Sequence, residues 1–304
     1  MQHLKVRFGY DNDDLLFPVY LKSEEVKILE ASGLRKPNYI LPNGAGVGYG
    51  YFKMDPRSRS YLLENLPKIN DSYLRGIIWL NLWDEMLYGN IKPIDMINLC
   101  IRALKTENDI LNTQRILSRL NSTFWNFLSE NQRSTKANQL ESILRLHLNE
   151  ATTITNRSMY FRSLRSITIT DNGYDWLKSI WMKNDSIKGL TLSERDYITI
   201  ASELALRGKK DSQQILDSQL NQISNPDRKS RFKFIMASLS NDLKVRDNFF
   251  ELIKKEENRE VEPWVQSAVA YLHHPLRSKD SEKYILPSLE LLEEIQRTGD
   301  IFFP

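Results

Sequence analysis

The spacing of apolar residues changes near residue 56, and this change constrains the fold more than any other feature of the sequence. Before that point apolar and polar residues alternate in short runs, as at residues 4–8, which is the period of a half-buried β-strand. After it, apolar residues recur every three or four positions, as in a helix. We therefore expect a few strands in residues 1–56 and an all-helical domain over residues 57–304.

The N-terminal region predicts two strands separated by the turn residues 10–14. The first covers the opening residues, and the second covers residues 16–21, where Pro18 favours an edge strand or a bulge. Two or three strands are too few to close a sandwich or a barrel. We therefore expect the chain to begin in the middle of a sheet.

Helix start and stop signals punctuate the rest of the chain. Asp71 is placed to cap a buried helix over residues 73–88, which Gly89 ends, and Pro93 begins the next helix. Residues 191–194 have capping-box spacing, and residues 225–226 combine a cap with a proline.

The final helix is predicted from about Ser281 to Gly299, with Ile285, Leu289, Leu292 and Ile295 as its apolar stripe. The signals together give roughly twelve helical segments with short polar breaks. Such a series predicts an irregular α-α superhelix, a HEAT- or armadillo-like solenoid, with an irregular globular helix bundle as the alternative.

Charge and cysteine content exclude several classes of protein. The formal net charge is only +3, which argues against nucleic acid or an anionic membrane as a partner. No stretch reaches the roughly 20 apolar residues of a membrane span. Cys100, the single cysteine, lies in an apolar run and is expected to be a small buried side chain.

The residues capable of chemistry do not form a recognisable site. None of the histidines, His3, His147, His273 and His274, begins the H-E-x-x-H pair that binds zinc from one helix face. The adjacent His273 and His274 precede a proline and are expected at a helix C-terminus. We assign no catalytic, cofactor-binding or metal-ligating residue in this chain.

Three further patterns are interpreted as structural. Gly44, Gly46, Gly48 and Gly50 have a spacing of two, which predicts a strand with one bare face for close packing rather than a phosphate loop. The acid pairs at residues 84–85 and 293–294 are expected to be solvated helix faces. The six tryptophans lie within amphipathic patterns and are expected mainly in the core.

One set of motifs names a family. Residues 48–55 (GYGYFKMD), followed by residues 62–66 and 71–76, resemble the C-terminal junction of aminopeptidase N-type zinc peptidases. In that family an aromatic strand closes a small β-sandwich and leads into an all-helical domain. Residues 50–55 are similar to this strand, with Lys53 where the family usually has arginine and Met54 where it has valine.

Two later motifs extend the resemblance along the chain. The acidic residue and arginine of the next family helix, with its Trp-Asp and following glycine, are similar to Asp71, Arg75, residues 83–84 and Gly89. Residues 225–229 (NPDRK), followed by Phe232, are similar to a late N-P-D-x-K turn.

The resemblance implies a non-catalytic C-terminal region. Residues 1–56 would be the end of the β-sandwich, and residues 57–304 would cap and gate the substrate chamber of an upstream catalytic domain. Zinc, its ligands and the catalytic glutamate would belong to that domain, and the partners would be that domain and peptide substrates. The alternative is a free-standing α-solenoid that binds a peptide or protein.

Overall fold

Three antiparallel strands are followed by helices, as the change in apolar spacing predicts. The computed structural model describes residues 2–11 and 13–298, and every strand within them lies before residue 42. The strands are β1 (Gln2–Gly9), β2 (Asp14–Leu21) and β3 (Tyr39–Leu41). Their order is β2-β1-β3, so β1 is central and Pro18 lies on an edge strand, as predicted.

The described part of the chain after residue 55 contains fourteen α-helices. They are α1 (Pro56–Asn65), α2 (Ser72–Leu87), α3 (Pro93–Leu104), α4 (Ile110–Asn126), α5 (Glu130–Glu150), α6 (Ile154–Ile167), α7 (Asp171–Trp181), α8 (Glu194–Leu206), α9 (Ser212–Gln222), α10 (Pro226–Leu239), α11 (Leu243–Ile253), α12 (Glu262–Leu272), α13 (Ser278–Glu290) and α14 (Leu292–Thr298).

Several predicted helix ends are confirmed by the capping contacts. The Asp71 carboxylate accepts a hydrogen bond from the Tyr73 amide at 2.9 Å, which fixes the start of α2. Gly89 follows α2 with φ +77°, a conformation that glycine adopts without a steric penalty. Asn225 caps α10 by accepting from the Arg228 amide at 2.9 Å.

Two helix predictions are wrong in detail. The capping box of α8 pairs Ser193 with Asp196, two residues beyond the predicted start. The predicted final helix is two helices, α13 and α14, and Gly299 lies outside the described residues. Three residues of its expected stripe are exposed, Ile285, Leu289 and Leu292, because α13 instead buries Tyr284, whose ring lies 4.6 Å from that of Phe250.

The glycine segment is not a strand. Residues 42–46 form turns and a bend, and Gly46 and Gly50 have φ values of +69° and +129°. Residues 51–55, similar to the closing strand of the family, are also without regular structure. Close packing does occur at Gly44, where a Cβ atom would lie 2.5 Å from the Cβ atom of Arg7 in β1, whereas a Cβ atom on Gly50 would have no neighbour within 4 Å.

The chain forms two compact units. Unit 1 runs to Leu148 and includes Met159–Ser163, whereas unit 2 comprises Asn149–Ser158 and the residues from Leu164 onward. The core of unit 1 includes Trp79, Leu82 and Phe124, all fully buried. The core of unit 2 is centred on residues such as Phe232 and Leu239. The predicted division into residues 1–56 and 57–304 stays a prediction.

Within each unit, several helices pack against the next helix or against the one after it. In unit 1, α3 contacts α4, while α1 contacts α3 and α2 contacts α4. In unit 2, α8 contacts α7 and α9 and also α10, and α10 contacts α11 and also α12. Contacts between alternate helices therefore occur in both units.

Candidate functional site

A buried carboxylate on α2 binds the segment that follows the glycine-rich turns. Glu85 is fully buried and accepts hydrogen bonds from the Met54 amide at 2.8 Å and the Tyr51 hydroxyl at 3.1 Å. Its second oxygen accepts from the Arg59 guanidinium at 2.8 Å. We call Tyr51, Met54, Arg59 and Glu85 the Glu85 cluster. One side chain thus holds residues 51–54 and α1 against α2.

Local structure on both sides positions the Glu85 cluster. Asp55 caps α1 by accepting from the amides of Arg57 and Ser58, both at 3.0 Å, which fixes the helix that carries Arg59. The Tyr51 ring stacks on Tyr88 with centroids 3.7 Å apart. Burial, followed by the hydrogen bond to Glu85, raises the pKa of the Tyr51 hydroxyl. The hydroxyl therefore stays protonated and can donate to the carboxylate at neutral pH.

The prediction that residues 84–85 form a solvated face is wrong for Glu85. Because α2 is apolar around most of its surface, a carboxylate on it is buried and needs donors from elsewhere. Asp84 is half-buried, and desolvation raises the pKa of its carboxyl. Of the second pair, the Glu293 side chain is 86% exposed as expected, whereas Glu294 accepts from Arg259 at 2.6 Å.

The second motif of the resemblance also makes structural contacts. Arg75 donates to both carboxylate oxygens of Glu107, at 2.8 and 2.5 Å, and to the carbonyl oxygens of Ile69 and Asn70. The hydrogen bonds to Glu107 raise the pKa of the Arg75 guanidinium. Arg75 therefore joins the start of α2 to the loop that precedes α4.

The late motif begins a helix in unit 2. Arg228 donates to Glu194 of α8 at 2.9 Å, and the same carboxylate accepts from the Ser224 hydroxyl at 2.7 Å. The hydrogen bonds from Ser224, together with that from Arg228, lower the pKa of Glu194 to about 2. Phe232, the aromatic residue that follows the motif, is 1% exposed in the core. The motif thus fixes the start of α10 against α8.

The four histidines occupy separate places. His3 stacks on Tyr20 in the sheet, and His147 stacks on Tyr160. His273 follows α12 and His274 begins a short 3-10 turn, which confirms their predicted place at a helix C-terminus. Across residues 2–11 and 13–298, no group of three His, Cys, Asp or Glu side chains is placed to hold a metal ion.

Cys100 and most of the tryptophans belong to the core, as predicted. Cys100 is fully buried, and burial raises the pKa of its thiol to about 12. Trp79 is fully buried, and three more tryptophans, Trp83, Trp125 and Trp181, are each 8% exposed. Trp264 is only half-buried and lines a groove of unit 2. No sequence pattern predicts that groove, because its residues come from three separate helices.

Comparison of the sequence with protein-family models and with curated proteins returns no match. The described helices include none that is both long and apolar enough to cross a bilayer.

Proposed function

We propose that this chain is the non-catalytic C-terminal region of an aminopeptidase N-type zinc peptidase, and that it caps and gates the substrate chamber of an upstream catalytic domain. The proposal rests on the order of the motifs along the sequence. It is supported by the contacts of the motif residues, since Tyr51 and Met54 of the first motif bind Glu85, which directly follows the Trp-Asp of the second. Arg75 and Arg228 likewise make contacts that fix the starts of α2 and α10.

Apolar side chains exposed near the sheet support a covering partner. Among the described residues before residue 50, nine large apolar side chains are exposed, including Val47 at 72% and Tyr49 at 94%. Contiguous exposed apolar surface on a protein commonly marks an interaction site. We propose that the upstream catalytic portion of the same polypeptide covers this surface. Such a partner would also cover the apolar residues 301–303, which lie beyond the part of the chain that the structure describes.

The deciding experiment mixes this chain with the separately expressed upstream portion of its reading frame. Light scattering after size exclusion would measure association, and cleavage of aminoacyl-p-nitroanilides would measure activity. Replacing Val47 and Tyr49 with serine should weaken association. Replacing Leu111, an apolar residue of α4 that is 68% exposed, with serine is the matched control and should leave association unchanged.

Two outcomes would contradict the capping role. One is that the two portions never associate while the upstream portion alone keeps full activity and selectivity. The other is that the reading frame encodes no H-E-x-x-H upstream. As a separate check, the purified chain alone should carry no stoichiometric zinc and should not cleave aminoacyl-p-nitroanilides. One tightly held zinc ion per chain would overturn the proposal.

A second candidate is a free-standing α-solenoid that binds a peptide or protein. It is favoured by the packing of alternate helices against each other, which stacked helical hairpins require. Hydrogen bonds in unit 2 also recur between residues about one hairpin apart, as from Arg207 to the Thr168 carbonyl and from Trp181 to Gln219. In this case the chain would bind its ligand without any upstream domain.

A further inference from the structure

Helices α8, α10 and α12 of unit 2 line a groove of about 640 Å³. This volume lies within the range of roughly 300–1,000 Å³ that is typical of small-molecule sites. The residues that carry the argument are three arginines and three apolar side chains: Arg195, Arg228, Arg231, Phe232, Ile235 and Trp264. Since all belong to one compact unit, the groove is a feature of that unit alone.

The rim of the groove carries positive charge that the protein does not neutralise. Three arginines line it, against the single carboxylate of Asp227. Arg228 is paired with Glu194 at 2.9 Å, but within the described residues Arg195 and Arg231 form no ion pair. Arg231 donates to the Ser267 hydroxyl at 2.8 Å, and a guanidinium has five N–H donors. Donors therefore remain for an incoming anion.

The floor of the groove is apolar. Phe232 is 1% and Ile235 is 5% exposed, and both belong to α10. Trp264 of α12 is half-buried and packs against Phe234, with ring centroids 5.9 Å apart. A ligand that covers this floor excludes water, and the attraction between a guanidinium and an anion is stronger where water is excluded.

We propose that this groove binds a small organic anion with a flat apolar body, of the class of aromatic carboxylates. An inorganic anion would leave the half-buried Trp264 ring in contact with water, and a neutral aromatic compound would leave the guanidinium donors without an acceptor. Arginine matches a carboxylate because its planar donors can bind both oxygens. The inference is independent of the function proposed above.

The test compares naphthalene-2-carboxylate with naphthalene-2-carboxamide, a neutral compound of nearly the same shape. Titration calorimetry on the full chain should show the carboxylate binding at least about tenfold more tightly, the effect of one charged hydrogen bond. The double variant R195Q/R231Q should lose about tenfold in affinity for the carboxylate and stay within about twofold for the carboxamide. Trp264→Leu should weaken binding of both compounds.

The matched control is K229Q/K233Q, which removes two positive charges from exposed positions of α10 that do not line the groove. Its affinity for the carboxylate should stay within about twofold of the wild type, because the contacts are local. The proposal is overturned if the acid and the amide bind equally, or if neither binds. It is also overturned if the two double variants weaken carboxylate binding equally. The comparison of the two compounds on the wild-type chain needs no variant, so the proposal remains testable if a variant fails to fold.

Discussion

Replacing Glu85 with glutamine should destabilise unit 1 by about 2–4 kcal/mol, because the buried carboxylate has a partner for each oxygen. The amide oxygen can still accept from Met54 and Tyr51, but the amide nitrogen then faces the Arg59 guanidinium, donor against donor. Breaking a fully buried ion pair from one side costs about 3–5 kcal/mol. The Arg59 side chain is 17% exposed, which lets water offset part of that cost.

The assay is urea unfolding followed by tryptophan fluorescence and far-UV circular dichroism. Three of the six tryptophans, Trp79, Trp83 and Trp125, belong to unit 1 and contribute its part of the fluorescence change. Glu64→Gln is the matched control, since Glu64 is an exposed acid on α1 and should change stability by less than about 0.5 kcal/mol. A double-mutant cycle with Arg59→Gln should give a coupling of about 1–3 kcal/mol. If E85Q costs no more than E64Q, the Glu85 cluster does not hold the junction and the reasoning is wrong.

Three further predictions concern single side chains. Lys183→Gly should raise the free energy of unfolding by about 0.5–1 kcal/mol, because Lys183 has φ +62° at the end of α7, a conformation in which only glycine is unstrained. Lys188→Gly is the control, and because the backbone has no such strain there, this substitution should lower the stability. Glu194→Gln should destabilise the chain at pH 7, and the difference from wild type in urea unfolding should close as the pH falls from 4.5 to about 2. The hydrogen bonds from Ser224 lower the pKa of Glu194 in the folded state, so this stabilisation is present above pH 4.5 and is lost as the pH falls towards about 2. A difference in stability between the variant and the wild type that persists at pH 2 would contradict this explanation. Cys100 should react with a thiol reagent only on unfolding, because burial raises its pKa to about 12; rapid labelling of the native chain would show that it is accessible.

The sequence predicted the helix boundaries that depend on contacts between residues close together in the chain. Asp71, Gly89 and Asn225 were recognised as helix boundaries because a capping side chain or a left-handed residue acts within three or four positions of itself. The same kind of reasoning was wrong for the glycine segment at residues 44–50. A spacing of two fits a strand, but the positive φ values at Gly46 and Gly50 belong to turns, and glycine is compatible with both.

The Glu85 cluster and the groove of unit 2 were not predicted, because each brings together residues that are far apart in the sequence. The donors to Glu85 lie 26 to 34 residues before it, so nothing near residue 85 distinguishes it from a solvated glutamate. The groove of unit 2 combines residues from 195 to 271, and it depends on α8, α10 and α12 lying side by side. The net charge of the whole chain is only +3, so it does not reveal that three arginines lie together at the groove.

Two arginines of unit 2 bind backbone carbonyl oxygens at helix ends. Arg207 donates to the carbonyl oxygens of Arg165, Ser166 and Thr168 at the end of α6, at 2.9, 2.9 and 2.6 Å. Arg277 likewise binds the carbonyls of Ser238 and Leu239 at the end of α10. Burial lowers the pKa of Arg277 to about 10, so it still carries its charge at neutral pH, at the end of a helix dipole that favours a cation.

One planar guanidinium can bind several of the carbonyls that a helix C-terminus leaves unpaired, whereas a lysine ammonium has only three donors at a single point. Arg207 follows α8 and binds the end of α6, and Arg277 follows α12 and binds the end of α10, so these arginines join alternate helices. Arg195 has no such partner among the described residues and remains available to a ligand.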